Sequence, residues 1–138
     1  MTYFVSTHLI HIVGGQQLLI RRAGTKYFPG FLSCVAGHVE ETETPAEALV
    51  REVKEEVGLN LVLSDLTFRN VIYRILPDRT YVDFFFSIET FQGTPAILEP
   101  DKITEIGYFD LNAVEQETVP YIVTALRTTE PYLHFKEL

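Results

Sequence analysis

The stretch from Thr44 to Gly58, TPAEALVREVKEEVG, constrains the fold more than any other part of the chain. Thr44 is placed as an N-cap, Pro45 sits at the first helical position, and Glu47 completes a capping box. Gly58 is placed to end the helix in the left-handed conformation that glycine tolerates. The spacing therefore predicts a helix from Pro45 to about Val57. At about 100° per residue, Ala46, Leu49, Val50, Val53 and Val57 fall in one arc, the expected core face. Glu52, Glu55 and Glu56 fall in an adjacent arc, and Glu47, Arg51 and Lys54 take the far side. Ala48, small and within the glutamate arc, is expected to leave room above the helix.

Three carboxylates at i, i+3 and i+4 are neighbours on the helix surface. Two readings follow from the residues alone. One is a solvated acidic face, because glutamate forms helices well and surface repulsion between such pairs is only a few tenths of a kcal/mol. The other is a divalent cation site, because hard cations take carboxylate and carbonyl oxygens and share them with phosphate.

Around that helix the chain alternates strand and loop patterns. Tyr3–Val13 reads as a strand closed by the Gly14–Gly15 turn, and QQLLIRRA returns as a second strand. GTKYFPGFLS is a loop and CVAGHVE a short strand edge. LNLVLSDLTFRNVIYRIL supplies strand material, Pro77–Thr80 a turn, YVDFFFSIETF the strongest strand, and EIGYFDL a shorter one. TVPYIVTALR reads as a second helix with Pro120 in its first turn. The expected class is α+β: one domain over residues 1–138 with a mixed sheet packed between helices, an α/β/α sandwich.

Composition excludes several functions. The formal charge is −8, with no basic footprint for duplex nucleic acid. An anionic ligand would need added cations or a local basic patch. No apolar run approaches the ~20 residues of a membrane helix. MTYFVSTHLIHIVGG has neither a basic leader nor a small-residue cleavage site, so no signal peptide is expected. Cys34, the single cysteine, forms no intramolecular disulfide and reads as a small buried residue. A cytoplasmic location is the expectation.

The order of residues across the acidic segment adds a more specific signal. Gly37 is followed after five residues by Glu43, and after seven more by Arg51, Glu52, Val53, Lys54, Glu55, Glu56, Val57, Gly58 and Leu59. This resembles the Nudix hydrolase signature, with every defined position filled. The chain length and the strand–loop–helix order also fit that family, so the resemblance extends over essentially the whole chain and is MutT-like in size.

The resemblance implies a Nudix fold and a metal-dependent hydrolase that cleaves the pyrophosphate of a nucleoside diphosphate linked to another moiety. Most simply, this is a (deoxy)nucleoside triphosphate cut to monophosphate and pyrophosphate. Nucleotide sugars or ADP-ribose are alternatives. A silent nucleotide-binding regulatory module is a rival of another class, against which the complete glutamate set argues. The resemblance assigns Glu52, Glu55 and Glu56, with the Gly37 carbonyl, to Mg²⁺ or Mn²⁺. Glu52 or Glu56 would orient or deprotonate water, while Glu43 and Arg51 would brace loop and helix. It also implies a further metal ligand or base from Glu99 or Glu105. A homodimer using the apolar VDFFF strand is compatible with it. Two positions depart from the usual pattern: Val35 stands where proline is common, and Thr42 where glycine is common. Neither bears a catalytic group, and the expected consequence is altered loop geometry.

Outside the signature, Arg21 and Arg22 are either a solvated strand end or phosphate contacts. Tyr27 and Phe28 either pack on the domain or stack on a base. Asp83 is either an edge-strand solvent contact or a pocket group that reads substrate. His38 could reach phosphate. His8 and His11, three apart in a strand, point to opposite faces and form no ligand pair.

Overall fold

The structure, a computed structural model, describes residues 2–138. Two sheets share the core. The larger has the order β5-β1-β7-β6-β9, built from β1 (Tyr3–Ile10), β5 (Ala36–His38), β6 (Thr67–Ile75), β7 (Thr80–Ser87) and β9 (Tyr132–Lys136). It is mixed: β1 runs parallel to β7, β9 runs parallel to β6, and the other pairs are antiparallel. The smaller sheet joins β2 (Ile12–Val13), β3 (Gln16–Arg22), β4 (Leu32–Ser33) and β8 (Ile103–Phe109), with β3 between β4 and β8.

The helices are α1 (Pro45–Val57), α2 (Leu111–Val114) and α3 (Pro120–Arg127). Leu49, Val53 and Val57 of α1 bury against Leu9, Leu18 and Ile88, while Ile122 and Ala125 of α3 bury against Ile10, Ile72 and Phe85. Helices thus cover opposite sides of the strands, the architecture expected of the class.

The expected continuous strand Tyr3–Val13 is divided. β1 belongs to the larger sheet, and after His11 the chain enters the smaller one as β2. The two imidazoles flank this corner on opposite sides: His8 lies against Phe85 and Tyr121, and His11 against Phe91 and Tyr108. β9 was not expected from sequence. The VDFFF segment is held between β1 and β6, so its strand edges are already paired.

On α1 the helical arc needs one correction. Ala48 is fully buried and Ala46 only partly so. The small side chain at 48 therefore lets the helix approach the sheet closely; it does not open space above the glutamates.

Candidate active site

Both caps of α1 form as the sequence requires. The Thr44 hydroxyl accepts from the Glu47 amide at 3.2 Å, the Glu47 carboxylate accepts from the Thr44 amide at 2.9 Å, and Gly58 takes φ 75°. The loop before the helix is tied to it by Arg51. Its guanidinium donates to both Glu43 oxygens, at 2.7 and 2.9 Å, to the His38 carbonyl at 3.1 Å, and to Glu52 at 2.7 Å. The hydrogen bond from Arg51 holds the Glu43 carboxyl below its ordinary range. Thr42 sits at φ 70°, the conformation the more usual glycine would supply. A β-branched residue thus bears a left-handed backbone in this loop.

Gly37 has a steric role. A Cβ there would collide with the Glu52 side chain, so only glycine lets that carboxylate lie against β5. Glu52 and Glu56 both line an open cavity of about 670 Å³. Burial, followed by the charges of Glu52 and Glu99, pushes the Glu56 carboxyl up to about 8. Burial likewise raises Glu52, against the pull of Arg51.

Glu55 is exposed and reaches Arg51 at 3.3 Å. Among the described residues, no three His, Cys, Asp or Glu side chains converge on one point; Glu52 is turned to Arg51 and Glu55 to solvent. The donor set nevertheless fits a hard divalent cation. Glu52 and Glu56 border one cavity, and the charges of Glu52 and then Glu99 act on the part-buried Glu56, a repulsion that a cation relieves.

The remaining lining carries the opposite charge. Arg22, Lys26, Arg74, Arg79 and Lys102 all border the cavity, giving an acidic protein the local basic patch an anionic ligand needs. Tyr27 and His38, expected near substrate, line it too. His38 stacks on Tyr81 at 5.9 Å between ring centroids, and Tyr81 on Phe4 at 5.3 Å.

Four expected site residues lie elsewhere. Arg21 points away, to Glu105 at 2.6 Å and Glu117 at 3.2 Å, which also removes Glu105 from the carboxylate cluster. Phe28 packs on Tyr27 and Phe31 beside the core under α3. Asp83 is neither an edge contact nor a cavity group. It is wholly buried in central β7, accepting from Arg74 Nε at 2.8 Å and from the Ser6 hydroxyl.

Arg74, Ser6, Tyr121 and Lys102 were missed. Arg74 was within reach of sequence reasoning: pairing β6 with β7 across the Pro77–Thr80 turn sets Arg74 opposite Tyr81 and one diagonal step from Asp83.

Comparison with known proteins identifies the family. Residues 3–126 match the NUDIX domain. The chain belongs to the Nudix family. The 8-oxo-dGTP diphosphatase of Escherichia coli K12 is 31% identical over 91 residues, 66% of this chain and 69% of the relative. Nucleoside triphosphatase NudI of Salmonella agona is 44% identical over 73 residues, 50% of this chain and 49% of NudI. The crystal structure of a MutT NUDIX hydrolase from Burkholderia pseudomallei superposes with a TM-score of 0.85 at 25% identity, covering 94% of this chain and all of that one. The chain is a Nudix pyrophosphohydrolase. Nudix enzymes generally use divalent cations. Among the described residues no helix is long and apolar enough to cross a membrane.

Proposed function

We propose that this Nudix enzyme hydrolyses (deoxy)nucleoside triphosphates to monophosphate and pyrophosphate with Mg²⁺ or Mn²⁺. The observation that carries the reading is the pairing, in one cavity, of the Glu52 and Glu56 carboxylates with the basic side chains of Arg22, Lys26, Arg79 and Lys102. The cavity is large enough for a nucleotide. The names of the NudI and 8-oxo-dGTP diphosphatase relatives support the same substrate class.

Glu52, Glu56 and Glu55, with the Gly37 carbonyl and Glu99, would hold the cation. A cation held there would supply Lewis-acid polarisation of a phosphoryl group and a lowered pKa for water. The basic lining receives the triphosphate oxygens and orients the chain of phosphates. A water oxygen bonds to one phosphorus, the bridging oxygen between the α and β phosphorus atoms leaves with the other fragment, and the water proton passes to a carboxylate. We assign that role to Glu56, which lines the cavity beside Glu52.

The test is a panel of nucleoside triphosphates, ADP-ribose and nucleotide sugars incubated with Mg²⁺, with products resolved by chromatography. Monophosphate and pyrophosphate in equal amounts from triphosphates is the expected result. Release of orthophosphate, or cleavage confined to ADP-ribose or a nucleotide sugar, contradicts it.

A further inference from the structure

Besides the carboxylates of α1, the cavity is lined by polar side chains rising from the larger sheet: Ser6 and His8 of β1 and Arg74 of β6, with Tyr121 of α3 beside them. The Arg74 side chain is only 4% exposed. Its orientation is fixed. Nε and Nη2 donate to Asp83 at 2.8 and 3.4 Å, and the guanidinium carbon lies 3.9 Å from the Tyr121 ring centroid and 4.5 Å from that of Tyr81. Among the described residues Nη1 makes no hydrogen bond, and Glu137 Oε2 stands 3.8 Å from it. A guanidinium carries donors only, so the buried, rigidly held Arg74, which lines the cavity, keeps at Nη1 a donor that is ion-paired to Glu137 but not hydrogen-bonded among the described residues.

The hydroxyls beside it present the opposite polarity. The Phe84 carbonyl can only accept, so His8 Nδ1, 3.2 Å away, carries the proton. Nε2 is then a bare acceptor, and the Tyr121 hydroxyl, 3.2 Å away, donates to it. The Ser6 hydroxyl gives its one hydrogen to Asp83. Both oxygens are left with lone pairs alone. The cavity lining therefore combines a fixed donor, Arg74, with the acceptor oxygens of Ser6 and Tyr121, a combination that suits a base edge with a ring carbonyl beside a ring N–H. An exocyclic amino group at the carbonyl's place would turn its hydrogens toward the guanidinium, the mismatch by which arginine distinguishes guanine from adenine.

We infer that Arg74 sets base preference in this enzyme, donating from Nη1 to the exocyclic carbonyl of the base, so that nucleotides of oxo bases are taken over nucleotides of amino bases. Asp83 is a positioning residue that acts through Arg74. The inference rests on the reading of the site as a nucleoside triphosphate pyrophosphohydrolase and names the substrate class within it.

Inosine and adenosine triphosphates present the oxo and amino forms of the same ring position. With Mg²⁺, the wild-type ratio of kcat/KM for inosine over adenosine triphosphate is expected to be about tenfold or more. In the double variant Arg74→Gln with Asp83→Asn, both buried charges leave together, and an amide both donates and accepts. The ratio should fall toward one with an unchanged Mg²⁺ requirement. A merely structural role would lower both substrates by the same factor. Calorimetric binding of inosine and adenosine monophosphates to wild-type protein in chelator reads the same preference without hydrolysis and without a variant that must fold. A wild-type ratio at or below one, or an equal loss for both substrates in the double variant, overturns the inference. Absence of hydrolysis of either triphosphate would instead defeat the pyrophosphohydrolase reading, and the monophosphate binding ratio would still decide the role of Arg74.

Discussion

At the scale of single residues, two side chains are held in states that an isolated peptide would avoid. Thr42 carries a left-handed backbone, for which a β-branched residue is poorly suited, at a cost of roughly 1–2 kcal/mol. Thr42→Gly is expected to raise the melting temperature by a few degrees, the gain trimmed by the greater chain entropy of glycine. An unchanged or lower melting temperature would mean that the loop relaxes around the threonine. His8 is the second case. Burial depresses it from about 6.5 to about 4. Between these values the unfolded chain binds a proton that the folded protein refuses, so stability is lost as pH falls from about 6.5 toward 4. Denaturant titrations at pH 7 and 5 should show this loss in wild type and less of it in His8→Gln; equal losses would place the titration elsewhere. Neither state was legible in the sequence, because both depend on partners distant along the chain. Gly37, Glu52 and Glu56 were legible through the fixed spacing of the signature. The burial of Asp83 was not, since a carboxylate in an apolar strand reads equally as an edge or as a pocket until its partner Arg74 is located.

At the scale of elements, α1 was readable almost to the residue because its ends are written in side chains: Thr44, Pro45 and Glu47 at one end, Gly58 at the other. Thr44→Ala should cost about 1 kcal/mol in a denaturant titration, and a change below a few tenths would mean that tertiary packing alone holds the helix start. The strands were less legible. β1 and β2 merge in an unbroken β-branched and aromatic run, and only the corner at His11 assigns them to different sheets. β9 lies on the outer edge of the larger sheet, paired in parallel with β6. Its half-buried Leu133 and Phe135 alternate with exposed neighbours, a pattern too short to stand out. Yet its end matters to the cavity, because Glu137 accepts from the Tyr27 hydroxyl at 2.7 Å.

At the scale of the whole molecule, the acidic charge and the anionic substrate are reconciled inside one cavity. Carboxylates from α1 share the cavity with basic side chains gathered from β3, its following loop, β6, the β6–β7 turn and the residue before β8. A cation bound only by the folded protein stabilises it by mass action. Raising Mg²⁺ from chelator conditions to ~10 mM, far above a plausible dissociation constant, should increase the melting temperature, and further with a nucleotide present. Identical melting curves would favour the solvated acidic face. The most direct test of the central claim is the turnover of Glu56→Gln on a nucleoside triphosphate at saturating Mg²⁺, followed by pyrophosphate release. The substitution keeps the side-chain shape and removes the carboxylate proposed to hold the cation and to receive the water proton. A fall in kcat of about a hundredfold or more, with the fold retained, is predicted; turnover within a few fold of wild type would contradict the assignment of Glu56 and of the site built around it.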